Sequence, residues 1–71
     1  MVNRKLLRER IDAKGIKIRF IADKLGISHQ SMYDKVNGRT EFKESEIAIL
    51  IDILDLSPED VMLIFFTREV A

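Results

Sequence analysis

The chain has no cysteine, no tryptophan, a single histidine, one proline and three glycines in 71 residues. Without cysteine there is no disulfide framework, no thiolate zinc site and no cysteine nucleophile, a composition that fits the reducing cytoplasm. One histidine gives a transition-metal centre nothing to start from, so no metal and no cofactor is expected. Long apolar runs are missing as well. The longest, Val61 to Phe66, is far short of the ~20 residues that span a bilayer, and Met1 to Gly15 is too charged for a signal peptide. The chain therefore reads as neither secreted nor embedded. Scarce Pro and Gly, beside 46% hydrophobic and 34% charged residues, exclude collagenous and disordered classes. A chain this short makes one domain, residues 1–71, and buries only about three-fifths of its unfolded surface, which leaves no room for a large cofactor-binding core.

Net charge is also absent, with twelve Lys and Arg against twelve Asp and Glu. Its distribution is uneven. Residues 1–40 hold ten basic and four acidic side chains, a net +6, and residues 41–71 hold two basic and eight acidic ones, a net −6. Such a dipolar domain can turn a basic face to a polyanion while its acidic end points away, or it can simply be solvated helix surface.

Apolar spacing is helical throughout and predicts an all-α, compact five-helix bundle. The first helix runs from an N-cap at Asn3 to Lys14, with Leu7 and Ile11 facing inward and Gly15 as the stop. A second covers about Ile18 to Leu25, with Ile18, Ile21, Ala22 and Leu25 in one stripe and Gly26 ending it. The third starts at Ser28, a good N-cap, and runs to Val36 before Asn37-Gly38. After the polar connector Arg39 to Lys43, a fourth helix reaches from about Glu44 to Leu54 on the stripe Ile47, Leu50, Ile51 and Leu54. Ser57-Pro58-Glu59-Asp60 opens the fifth, with Val61, Ile64 and Phe65 inward. Ile49 and Ile53, with Met62, Leu63 and Phe66, form a second apolar face on the last two helices. Either helix four is fully buried, or this face is the interface of a homodimer.

The segment Ile18 to Gly38 carries the functional signal. Two helices crossing at about 100° over a tight turn need a small residue at the contact, a Gly at the turn and apolar residues locking the corner. Ala22 is the small contact, Gly26 the turn, and Ile21, Leu25, Ile27, Met32 and Val36 the lock, so residues 18–38 read as a helix-turn-helix. With its Ile21-Ala22-Asp23-Lys24-Leu25-Gly26-Ile27-Ser28 run, its Gln30-Ser31 pair and its Asn37-Gly38-Arg39 exit, the chain resembles the lambda-repressor-like helix-turn-helix family, which includes the Cro proteins. The resemblance covers nearly the whole chain. It departs at Lys17 and Ile18, where family members often carry Thr or Ser and then Gln; at Phe20, often polar, which is expected to extend the core; and at Lys35, often apolar, where Val36 is expected to take over the packing.

The resemblance implies that the start of the third helix enters the major groove, with Ser28, His29, Gln30 and Asp34 facing the bases. Gln30 can pair bidentately with adenine, His29 can meet a purine edge, and Asp34 can accept from the cytosine amino group. His29 and Asp34 also read as exposed helix residues with no role, and Tyr33 as core packing or as a phosphate donor. Lys17, Arg19, Tyr33, Asn37, Arg39 and Lys43 are the phosphate-contact candidates. Arg4, Lys5 and Arg8 read as solvated.

What this implies is a DNA-binding transcription regulator of double-stranded DNA, a small cytoplasmic or nucleoid phage or prophage repressor that reads a pseudo-palindromic operator as a homodimer. No inducer-binding or self-cleaving module is expected, which leaves regulation to synthesis, degradation, operator competition or a protein antagonist. The competing class is a protein-interaction module, an antitoxin, antirepressor or adaptor, which the zero net charge and Asp34 favour. An enzyme is disfavoured: Glu44 and Glu46 read as charged surface, and no triad, metal cluster or phosphate-cradling loop is present.

Overall fold

The Asn3 side chain accepts the Leu6 N–H at 3.1 Å, which opens the first helix, α1 (Arg4–Lys14), by satisfying one of its unpaired donors. The computed structural model describes residues 2–66. Four more helices follow: α2 (Ile18–Leu25), α3 (His29–Val36), α4 (Glu44–Leu54) and α5 (Pro58–Val61), the last running into a π-helical turn over Met62–Phe66. No strand occurs among the described residues.

The connections are short, and two need glycine. Gly26 has φ +71°, and its N–H and that of Ile27 reach back to Asp23 and Ala22 carbonyls at 3.2 and 3.1 Å, a left-handed cap that ends α2 sharply. Only Ile27 and Ser28 then precede α3. Gly38, with φ +79°, ends the α3 exit against Arg4, whose Cδ would lie 2.9 Å from an added Cβ. Asp55 adopts the same left-handed region at φ 52° without being glycine.

The core takes Leu7 and Ile11 from α1, Ile21 and Ala22 from α2, Met32 and Val36 from α3, Leu50 and Leu54 from α4, and Ile64 and Phe65 from the π-turn. All were expected, Met32 and Val36 from the lock of the α2–α3 corner and the rest from the helical stripes. Leu56, in the α4–α5 connection, was not, and it is buried too. The pair α2–α3 packs together, α2 also rests on α4, and α1 packs on α3, α4 and the π-turn. Backbone bonding closes the assembly: the Asn3 N–H donates to the Ile64 carbonyl at 2.7 Å. The radius of gyration, 11.2 Å, is that of a compact chain of this length, about 11 Å.

Four expectations need correction. Phe20 does not extend the core: it is 47% exposed, with the Lys24 ammonium 5.3 Å above its ring, a cation–π contact at the surface. The connector before α4 is not wholly polar, because Phe42 packs on the core edge-on to Phe65 at 5.9 Å. The fifth helix is α-helical for one turn only. Its cap holds as expected, with the Asp60 N–H donating to Ser57 Oγ at 3.0 Å.

The largest correction concerns Glu46. It is no surface carboxylate but is 5% exposed, facing Lys35, itself 9% exposed, and the Lys35 Nζ lies 3.1 Å from its Oε1. Lys35 Nζ also donates to the Glu41 carbonyl at 2.9 Å and lies 5.9 Å from the Phe42 ring. The Lys43 N–H donates to Glu46 Oε1 at 2.8 Å, which caps α4 from within its first turn. Burial pushes the Glu46 carboxyl up, but the Lys43 N–H and the Lys35 ammonium outweigh it and hold it below its ordinary value. Val36 packs as expected, so α3 buries both residues and is tied to α4 by an ion pair.

Candidate nucleic-acid interface

Helix α3 presents one buried side and one open side. Met32, Lys35 and Val36 face inward, while Ser28, His29, Gln30 and Tyr33 are exposed and Asp34 is half-buried. For Gln30 and Asp34 this follows from 3.6 residues per turn, since both lie opposite Met32 and Val36; Tyr33 stands at the flank, and His29, one turn before Met32, is open as the first residue of α3. Tyr33, 39% exposed, is thereby not core packing.

The open side is prearranged. Ser28 is first a cap: its Oγ accepts the Ser31 N–H at 3.0 Å and its hydroxyl donates to Ser31 Oγ at 2.9 Å. The His29 Nε2 lies 3.3 Å from Asp23 Oδ1, a contact between α3 and α2. Gln30 Nε2 donates to Asp34 Oδ1 at 3.1 Å, and Arg39 Nη1 donates to the same oxygen at 3.3 Å. Gln30, Asp34 and Arg39 are thus one connected group, which the sequence spacing placed nearby without showing the bonds. Arg39 keeps most of its surface, at 70% exposure against 29% for Asp34, and a guanidinium has donors to spare beyond the one engaged.

Two further basic positions flank α2. Lys17 stands at the N-cap of α2 with no side-chain cap bond, and both it and Arg19 are exposed. With Gly15, Ile16, Phe20 and Asp23 they line a shallow open depression of about 460 Å³. Cations there reinforce the positive end of the α2 dipole, an arrangement that attracts anions. Lys43 is exposed at the N-cap of α4. Asn37 is half-buried, and its carbonyl accepts from Arg4 Nη1 at 2.7 Å. Arg4 is exposed, as read from the sequence, and its guanidinium also lies across the α3 exit. No local pattern signals a contact between residues 33 positions apart.

In the acidic second half of the sequence, Met62, Leu63 and Phe66 are 57%, 41% and 60% exposed. Ile49 and Ile53 are half-buried, and Ile53 packs partly against the core. Beside this patch runs an apolar groove of about 460 Å³ lined by Val2, Phe42, Ile47, Ile51, Val61, Phe65 and Phe66 among others. Asp60, on α5, pairs with Arg10 of α1 at 3.1 Å. The guanidinium, against a smaller opposing effect of burial, holds the Asp60 carboxyl below its ordinary value, with help from the Ser57 N–H.

Among the described residues no group of three His, Cys, Asp or Glu side chains is placed to hold a metal ion, and no helix is long and apolar enough to cross a membrane. A family model described as a protein of unknown function, DUF739, matches residues 3–68. No curated protein and no solved structure matches the chain.

Proposed function

For this chain, which belongs to the DUF739 family, we propose sequence-specific binding of double-stranded DNA as a transcription regulator of the lambda-repressor-like, helix-turn-helix type. The observation that carries the reading is the packed pair α2–α3: a left-handed Gly26 turn joins them, and α3 turns His29, Gln30 and Tyr33 outward from a capped N-terminus. A helix presented in this way fits the major groove, where Gln and His reach base edges. Gln30 and His29 read bases. Arg39, Lys17, Arg19, Tyr33, Asn37 and Lys43 bind phosphates and position the domain, and the +6 balance of residues 1–40 favours that contact. Ser28 serves chiefly as the α3 cap.

Its partner besides DNA is a second copy of the chain. Met62, Leu63 and Phe66 are large apolar side chains 57%, 41% and 60% exposed, and with the half-buried Ile49 and Ile53 they are the surface offered to that second copy. Two-fold pairing makes the operator a short pseudo-palindrome with half-sites about one helical turn apart. The setting is the bacterial cytoplasm or nucleoid, in a phage or prophage regulatory circuit, and the activity is binding without catalysis.

Selection from a random DNA pool, then titration of the enriched sequence at two salt concentrations, tests this reading. Enrichment of a palindrome and a steep salt slope are expected, with Gln30→Ala losing the preference while its melting temperature stays at the wild-type value. Retention without sequence preference would overturn the DNA-reading function. The exposed Met62, Leu63 and Phe66 patch would then mark a protein-interaction module such as an antitoxin, antirepressor or adaptor.

A further inference from the structure

We propose that Asp34 is a positioning residue that restricts Gln30 to adenine, an inference that rests on the DNA-reading function above. Asp34 stands one turn after Gln30 on α3, and its Oδ1 accepts from Gln30 Nε2 at 3.1 Å. An ionised carboxylate has acceptors only. The amide must therefore turn its nitrogen toward Asp34, so that one N–H is spent there and the carbonyl oxygen is left on the outward edge beside the remaining N–H. One acceptor beside one donor complements adenine, whose N6 donates and N7 accepts, and mismatches guanine, whose O6 and N7 both accept. An amide released from Asp34 can rotate and offer both hydrogens to guanine.

Arg39 makes such a carboxylate tolerable next to phosphates. Its Nη1 donates to the same Oδ1 at 3.3 Å, which offsets the negative charge, while its mostly exposed guanidinium retains donors for the DNA backbone. Asp34 thereby acts through Gln30 and Arg39 and touches no base itself, in contrast to the cytosine contact expected from the resemblance.

The test uses the full chain and the operator it selects. The base pair read by Gln30 is the one at which Q30A loses discrimination, and A·T is replaced there by G·C. Wild type should prefer A·T by roughly five- to a hundredfold, the range of one bidentate contact. In D34N and D34A that ratio should fall to about threefold or less, whereas affinity for unrelated DNA should rise because a negative charge is gone. In the Q30A background, D34A should change the ratio no further. A purely structural Asp34 would lower affinity for both sequences together and leave the ratio alone, so an unchanged ratio in D34A overturns the proposal. If wild type enriches no sequence at all, the DNA-reading function falls and this inference falls with it.

Discussion

Breaking the Lys35–Glu46 pair by Glu46→Gln removes the charge but keeps an oxygen that can still accept the Lys43 N–H. Lys35 then stays covered, at 11% side-chain exposure, with the Glu41 carbonyl, the Phe42 face and an uncharged amide oxygen in place of its counter-ion. Removing one partner of a buried pair costs about 3–5 kcal/mol. Both side chains here retain a sliver of exposure, 11% and 7%, and the amide oxygen can still accept, so the cost falls at or just below that range, about 2–3 kcal/mol. At about 4–8 °C per kcal/mol for a domain of this size, melting should fall by roughly 8–24 °C. Lys35→Met should cost a similar amount by stranding the carboxylate. The double variant K35M/E46Q leaves no unpaired buried charge, so its cost should be well under the sum of the singles, with a coupling of at least about 1.5 kcal/mol. Thermal and urea unfolding of the four proteins measure the cycle, and repetition at high salt should change it little, since a covered pair is poorly screened. Single costs below about 0.5 kcal/mol that simply add would show an ordinary solvated ion pair and refute the reasoning.

Acid should destabilise the protein along a window set by two carboxyls. Glu46 and Asp60 are held below their ordinary values of 4.5 and 3.8, so the unfolded chain binds more protons there. Their stabilisation is complete above those values and is lost as pH falls through the folded ones; melting temperatures of E46Q and R10M should decline less steeply below pH 4.5 than wild type. Gly38→Ala meets both a left-handed φ and the Arg4 side chain at 2.9 Å, and unfolding should show a loss of about 1–2 kcal/mol. Asp55→Asn removes a negative charge from the C-terminal end of α4 and suits the φ of 52° better; a gain of about 0.5 kcal/mol in urea unfolding is expected. Phe66→Asp, at a 60% exposed site, should leave the monomer folded but lower the sedimentation mass and weaken operator binding. An unchanged mass would remove the second copy from the proposal.

Much of the helical frame was legible because it rests on local chemistry. Asn3, Ser28 and Ser57 satisfy donors three residues away, Gly26 ends α2 by its own backbone freedom, and the buried residues recur at helical spacing. The base-facing positions of α3 came from the resemblance, and the period by itself sets only Gln30 and Asp34 opposite the buried Met32 and Val36. Their bonds were not legible, that between the i, i+4 neighbours Gln30 and Asp34 included.

What the sequence by itself determined is the helical frame, the caps and most of the residues the helices bury, the π-turn after Val61 and the buried Leu56 excepted, since caps, turns and apolar stripes act within a few positions of the chain. Only the tertiary structure decided the fate of charged and aromatic side chains that have more than one acceptable environment. Lys35 and Glu46 could each have stood in water, and they are covered because packing α3 beside α4 brings them within 3.1 Å. Phe20 could have joined the core, and it stays outside under Lys24. Arg4 reaches Asn37 across 33 positions, and the Asn3 N–H reaches Ile64. Such pairings depend on how rigid helices meet after folding, where one charge finds its counter-ion or loses it, and no local pattern encodes that meeting.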